Sequence, residues 1–333
     1  MTRQQAEKII ARFAGRRVLV VGDLMADEHI WGHVHRVSPE APVLVVDVEE
    51  ETFVPGGAAN AANQLRAFGA DVVLAGVVGA DTAGQALAER LTELGMDTGA
   101  VVISPDRPTT RKTRVVAGTQ QGAQQVVRVD REKRTPLPPN IAATLIEKVV
   151  EQIAGCDALL FSDYTKGVLS EETVRAITEA ARSRKPKMVI TANPKPSSVR
   201  FFRDGDIAQL NRSEADAALR AHLFESPDDA VFHEAGVRLR QYLGLRNLLV
   251  TRSAQGLTVF TEDGGYTDIP PHRIDVFDGT GAGDSTIAGV TLALATGASI
   301  VEAVEIGNAS GGAVVRKVGV ATATREETAA LFD

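Results

Sequence analysis

Six short apolar runs constrain this chain more than any other feature: Arg17–Val21, Asp71–Gly79, Ala158–Phe161, Met188–Thr191, Ile207–Leu210 and Asn247–Thr251. Each has strand length and too little alternation for a strand with one wet face, so each reads as a strand buried on both sides. Between them lie helix-compatible stretches at Asp81–Leu94, Ile141–Ile153, Glu171–Arg184, Ser213–Ala221 and Ala230–Leu243. Alternating β and α elements with short joints predict an α/β fold: a doubly wound, mostly parallel sheet with helices on both faces. Leu257–Phe260 and Gly265–Ile269 read as an antiparallel hairpin, and Glu7–Phe13 as a short lead-in helix.

Two regions break the rhythm. In residues 29–51, Val43–Val48 is strand-like, Ser38–Pro42 interrupts the chain before it, and no helix fits. In residues 101–130 the strand signal returns in Thr109–Val116 and Gln124–Asp130. Both are expected to form a small β-sheet lid apart from the main sheet. Alternation puts Lys112 and Arg114 on one face of their strand. They are either solvated charges or a clamp for a phosphate, which arginine grips bidentately.

Two glycine-rich stretches carry the chemistry. In Asp278-Gly279-Thr280-Gly281-Ala282-Gly283-Asp284, three alternate glycines separate Ile274–Phe277, read as a strand end, from the apolar helix Ser285–Thr296. Glycines there bare backbone N–H groups at a helix N-terminus, which suits an anion. Asp284 in the first turn is placed to take a proton from a hydroxyl while the amides neutralise a phosphate. An acid at this position also gains about 0.3–1 kcal/mol from the helix dipole alone. The second stretch, Pro55–Asn63, puts Gly56 and Gly57 before a helix whose Asn60 and Asn63 either cap it or bond sugar hydroxyls. The first strand ends in Gly22-Asp23-Leu24-Met25, which lacks the glycines of a dinucleotide fingerprint, and the chain has no Gly-x-x-x-x-Gly-Lys-Ser/Thr motif. Asp23 and Asp27 sit where open α/β sheets bind ligands, or serve as turn formers. Ser162–Gly167, Asn193–Lys195, Asn211–Glu214 and Thr251–Ser253 follow four other strands, so a shared crevice is expected along that edge.

The net charge of −7 argues against a general partner in nucleic acid or an anionic membrane surface. Met1–Lys8 has no apolar signal core and no run reaches membrane-spanning length, so a cytoplasmic protein is expected. The one cysteine, Cys156, lies in an apolar segment and reads as a small core residue.

Together, Gly56-Gly57-Ala58-Ala59-Asn60 and Asp278-Gly279-Thr280-Gly281-Ala282-Gly283-Asp284 make the chain resemble the ribokinase (PfkB) family of carbohydrate kinases over essentially its whole length. The resemblance implies a single ribokinase-like domain over residues 1–333. It makes Asp284 the catalytic base and the amides of Gly281, Ala282 and Gly283 the anion hole. Asn211 and Glu214 match an Asn-x-x-Glu that organises Mg²⁺ and the ATP phosphates through water. Thr251 and Gly256 would lie near the nucleotide, as would Gly281 and Gly283. Asp278 and Thr280, with carbonyls near Val314 and Gly319, match a K⁺ site.

Within the family the chain is most similar to kinases acting on D-glycero-D-manno-heptose 7-phosphate. Arg36–Val43, Lys112-Thr113-Arg114, Gln124-Gln125 with Arg128 and Asp130, and Ser162-Asp163-Tyr164 with Lys166-Gly167 carry that similarity. It implies a small-molecule sugar phosphate as partner. Gly56, Gly57, Asp27 and Asn60 would face the sugar, and Lys112, Arg114, Arg128 and Lys166 its phosphate or the lid. Asn193-Pro194-Lys195 replaces the usual Asp-Pro-Lys, and Phe277-Asp278 the usual Val-Thr, before Gly279-Thr280. These departures leave the base and anion hole intact and bear on the identity of the sugar and on the metal shell. The nucleotidyltransferase domain often fused to such kinases is not expected within these 333 residues. Open lid edges also suggest a homodimer through the lids. The rival readings are another kinase of the family, acting on a ketohexose phosphate, ribose, fructose or a nucleoside, and a binding protein on the same fold without turnover.

Overall fold

The computed structural model describes residues 1–118, 122, 124–317 and 319–333. Its elements in chain order are α1 Arg3–Ile10, β1 Arg17–Gly22, β2 Leu24–Val37, β3 Leu44–Gly57, α2 Ala58–Ala67, β4 Asp71–Gly79, α3 Thr82–Glu93, β5 Asp97–Ser104, β6 Thr110–Ala117 and β7 Gln124–Arg131. There follow α4 Pro139–Ile153, β8 Ala158–Ser162, α5 Glu171–Ser183, β9 Val189–Asn193, β10 Ile207–Asn211, α6 Arg212–Leu219, α7 Asp229–Leu243, β11 Leu248–Thr251, β12 Leu257–Phe260 and β13 Tyr266–Ile269. The chain closes with α8 Ala282–Ala295, α9 Ile300–Val314 and α10 Arg325–Ala329.

Among the described residues the strands form two sheets. The larger runs β13-β12-β11-β10-β9-β8-β1-β4-β5 and is parallel from β11 to β5, with β12 and β13 added antiparallel at one edge. Alternate residues of each strand enter opposite cores. Val18 and Val20 of β1 join a cluster with α2, α8 and α9, whereas Leu19 and Val21 join one with α4, α5 and α7. That two-sided burial explains the unbroken apolar runs.

The smaller sheet has the order β3-β2-β6-β7. Asp27 of β2 lies opposite Lys112 of β6, and Arg114 of β6 opposite Arg128 of β7. One face therefore carries Asp27, Lys112, Arg114, Arg128 and Asp130. The other carries Ile30, Phe53, Arg111, Thr113, Val115 and Val129, which line a groove of about 560 Å³.

Three sequence expectations need correction. The lid strands span 24–57 and 110–131 rather than 29–51 and 101–130. Residues 101–104 belong to β5, which pairs with β4 as an edge of the large sheet. Polar residues at Asp23, Asp27 and Glu49–Glu51 masked strands that run out of the main sheet into the lid. Ile274–Phe277 is irregular, with Val276 67% and Phe277 71% exposed, and the Phe277 amide bonds the Val315 carbonyl at the end of α9 rather than a strand. The first helix starts at Arg3 rather than Glu7, because Thr2 and Gln5 form a capping box.

Candidate active site

The loops at the carboxyl ends of β1, β8, β9 and β10 meet the N-termini of α2 and α8. Gly281 caps α8 in the left-handed region (φ +80°) and brings no capping side chain. The first-turn amides of α8 therefore lack both a carbonyl one turn back and a side-chain acceptor. That leaves Gly281 and Gly283 presenting N–H groups, while the Ala282 amide makes only a long 3.3 Å bond to the Gly279 carbonyl. Gln209 of β10 donates to the Gly283 carbonyl at 2.9 Å and fixes the turn against the sheet.

Asp284 lies in that first turn and is 6% exposed. Three side chains from three elements donate to it. Asn60 of α2 binds Oδ2 at 2.7 Å, and Tyr164 after β8 binds Oδ1 at 2.8 Å. Asn193, which ends β9, binds Oδ1 at 3.2 Å. Burial pushes the Asp284 carboxyl up, against the pull of Asn60, Tyr164, Lys195 and Asn193. Desolvation makes it a better base than a surface aspartate, and the donors keep it chargeable.

The second glycine site works sterically. A Cβ on Gly56 would sit 2.2 Å from Asp27 Oδ2, so only glycine lets Asp27 seat there. Gly57 caps α2 at φ +60°, and a Cβ on it would meet the Asp23 carbonyl at 2.4 Å. Asp27 is 8% exposed and accepts from Arg114 at 2.6 Å. Burial and the nearby Lys166 hold the Lys112 ammonium below the usual lysine range. Arg128 lies farther out, chelated by Asp130 at 2.9 and 3.1 Å. Lys166 faces the same space, but its ammonium is buried in a 2.6 Å pair with Glu132.

Asp23 is not at the reacting centre. Its carboxylate accepts from the amides of Tyr164, Lys166 and Val168 and so holds the loop that carries Tyr164. Burial and then the adjacent Asp163 raise its pKa to about 6.

At the end of β10, Asn211 and Glu214 form a capping box at the start of α6, with Asn211 Oδ1 accepting from the Glu214 amide and Glu214 Oε2 from the Asn211 amide. The other Glu214 oxygen pairs with Lys195 at 2.6 Å, and that ammonium lies 5.2 Å from the centre of the Tyr164 ring. Thr251 ends β11. Gly256, at φ +85°, turns the chain into β12 where a Cβ would strike the Ile269 carbonyl at 2.1 Å. Asp278 accepts from Thr280 N and Oγ1 at 2.9 and 2.7 Å and from the Gly319 amide at 2.9 Å. Burial works against these bonds, yet they hold its carboxyl below the usual range.

Of the residues singled out in the sequence, the structure places Asn60 on Asp284, and Arg114 and Gly56 against Asp27. Sequence reasoning assigned no role to Tyr164 or Gln209, and it gave Lys166 to the phosphate or the lid, whereas Lys166 pairs with Glu132. The available signal was the polar cluster at each strand end. Which member points inward depends on loop conformation, such as the left-handed Thr165 (φ +56°), and not on spacing.

The sequence matches the pfkB family of carbohydrate kinases over residues 16–327. A protein of Trichlorobacter lovleyi named bifunctional protein HldE is 40% identical over 330 residues, which cover 99% of this chain and 65% of that protein. The HldE protein of Geobacter metallireducens is 40% identical over 327 residues, covering 98% and 65%. The chain therefore spans about two thirds of these relatives' length, at 65%. Among solved structures, phosphofructokinase-2 from Escherichia coli in complex with potassium superposes with a TM-score of 0.76 at 18% identity, covering 96% of this chain and 98% of that one. The same enzyme in complex with fructose-6-phosphate gives 0.75 at 19% identity, with the same coverage. At such identities the likeness establishes the fold, a ribokinase-like sheet with its lid. With the sequence match running almost from end to end, the chain belongs to the pfkB family of carbohydrate kinases.

Proposed function

We propose that residues 1–333 form one kinase unit that transfers the γ-phosphoryl of ATP to a sugar phosphate in the cytoplasm. The favoured substrate is D-glycero-D-manno-heptose 7-phosphate, phosphorylated on its anomeric hydroxyl to the 1,7-bisphosphate used in lipopolysaccharide precursor (ADP-heptose) synthesis. The observation that carries the reading is the buried Asp284 carboxylate beside an uncapped helix N-terminus. A base and an anion hole on one helical turn suit in-line attack of a hydroxyl on a phosphoryl group. The resemblance to heptose 7-phosphate kinases and the 40% identity to HldE proteins support the sugar.

In this reading Asp284 orients the attacking hydroxyl and takes its proton. Asn60 and Asp27 hold the sugar, with Arg114 fixing Asp27. The amides of Gly281, Ala282 and Gly283 receive the charge that develops on the phosphoryl oxygens. Glu214 and Asn211 supply oxygens at the end of β10, which suits a Mg²⁺ ion that keeps several of its waters. Bound there, the ion would neutralise the phosphates. The Asp278 carboxylate and the Thr280 hydroxyl, 2.7 Å apart, offer hard oxygen ligands of the kind K⁺ takes, beside the Gly319 amide that donates to Asp278. Closing the lid would exclude water and so prevent hydrolysis of ATP.

The protein is further read as a homodimer through its lids. Val127 is 47% and Val129 42% exposed on the lid face away from Asp27, and β3 and β7 leave open edges. Light scattering that gives a monomer at micromolar concentration would remove the dimer.

The activity is tested by ADP release with Mg²⁺-ATP, with and without K⁺, across heptose 7-phosphate, fructose 1- and 6-phosphates, ribose, fructose and adenosine. A kcat/KM for heptose 7-phosphate at least about tenfold above the rest supports the substrate. Preference for another sugar moves the protein elsewhere in the family. No ADP release with any of them supports the non-catalytic reading.

A further inference from the structure

Asp284 receives more donors than a free general base would. A carboxylate offers about four in-plane acceptor positions. Tyr164 and Asn193 fill both on Oδ1, at 2.8 and 3.2 Å, and Asn60 fills one on Oδ2, at 2.7 Å. One position remains, and it is on Oδ2. We propose that Tyr164 and Asn193 are positioning residues that occupy Oδ1 of Asp284 and leave Oδ2 as the atom that takes the proton of the attacking hydroxyl. The inference rests on the kinase reading above. In the step it describes, the hydroxyl O–H bond breaks and the proton moves to Oδ2. The oxygen forms its bond to the γ-phosphorus, and the bond to the bridging oxygen breaks, ADP leaving with that electron pair.

The surroundings fit this division of labour. Tyr164 is held from behind, its amide donating to Asp23 Oδ2 at 2.7 Å while the Lys166 amide donates to the same oxygen at 3.0 Å. Burial, and then the Asp284 charge, push the phenol well above its ordinary pKa, so Tyr164 stays a donor and does not compete as a base. Asn193 is held by β9, whose terminal residue it is. An aspartate there would put two carboxylates about 3 Å apart, forcing them to share a proton. An asparagine donates instead, which gives the departure at residue 193 a physical meaning. The other groups facing this cluster are Lys195, whose charge favours ionised Asp284, and Asp27 and Glu214, which raise the Tyr164 phenol further.

The test reads the carboxyl directly. The full-length protein is labelled with carboxyl-¹³C aspartate and titrated by NMR, with Asp284→Asn to assign the resonance. Loss of one hydrogen bond to a charged group in Tyr164→Phe should move the Asp284 midpoint up by about one pH unit or more. The acid limb of kcat/KM should move with it, and KM for ATP should stay unchanged. Asn193→Ala should shift both in the same direction, and serves if Tyr164→Phe fails to fold. Asn193→Asp should shift them further and split the titration into two linked steps. Midpoint and acid limb unmoved in both donor-removing variants would overturn the inference. If the kinase reading fails instead, wild-type protein releases no ADP, and the carboxyl titration still decides whether Tyr164 and Asn193 tune Asp284.

Discussion

Strands β8 and β7 differ in composition, one apolar and the other valine mixed with charge, and meet opposite fates. Every residue of β8, Ala158–Ser162, is buried, and every residue of β7, Gln124–Arg131, is exposed. The first sits in the middle of the large sheet and ends at the loop that carries Tyr164. The second is the outer edge of the lid. The contrast separates two jobs. The sheet holds Asp284 and its donors to within hydrogen-bond distance, and the lid leaves one charged face and one apolar face exposed, which the proposed function assigns to the substrate and to a second copy.

The comparison sharpens or breaks on five substitutions. The largest effect is expected for Asp284→Asn, where turnover should fall about 10²–10⁴-fold with ATP affinity by calorimetry unchanged. Near-normal turnover would move the chemistry off the sheet.

Next is Phe161→Ala in β8. Phe161 is 1% exposed and packs 5.4 Å from Phe202, so its loss should cost about 3–5 kcal/mol in urea unfolding. The matching change in the lid, Val127→Ala, should cost less than about 0.5 kcal/mol in the monomer and weaken self-association instead. Equal costs would mean that the lid shares the core's packing.

Arg114→Ala tests the lid's grip on Asp27. Losing a charge-assisted bond of 2.6 Å should lower kcat/KM for the sugar phosphate by about 10–150-fold, with KM for ATP little changed.

The smallest effect concerns pH. Asp23 has a folded pKa raised to about 6 by burial and then by Asp163, above the ordinary aspartate value of 3.8. The folded state therefore holds this proton more tightly than the unfolded chain. Its contribution to stability is present below the unfolded value and is lost as pH rises through about 6. Between pH 4 and 7, wild type should lose more urea-unfolding stability than Asp23→Asn. Parallel pH curves would show that Asp23 is already ionised throughout this range.

The same contrast explains what could be read from the sequence. Two-sided burial forces unbroken apolar runs, so β1, β4, β8, β9, β10 and β11 were visible, as were Asp284 with its glycines and the Gly56-Gly57 turn. Lid strands are open to water over much of both faces and mix charge with valine, so their ends were misplaced by several residues. Ile274–Phe277 looked like a strand because local β propensity says nothing about whether a partner edge exists. Within the site, Asn60 lies on a helix that starts at a glycine and was found by position alone. Tyr164 reaches Asp284 only because Asp23 collects three amides of its loop, a contact across 141 residues that no local pattern encodes. Lys166 was assigned to the sugar's phosphate or to the lid, and its actual partner, Glu132, lies just beyond β7 in a stretch without a motif.

The most direct test of the account is phosphorus NMR of the product formed from heptose 7-phosphate and Mg²⁺-ATP. Transfer by Asp284 to the anomeric hydroxyl predicts a new sugar 1-phosphate doublet that grows in step with ADP. ADP appearing with inorganic phosphate alone, or with a phosphate on another carbon, would contradict it.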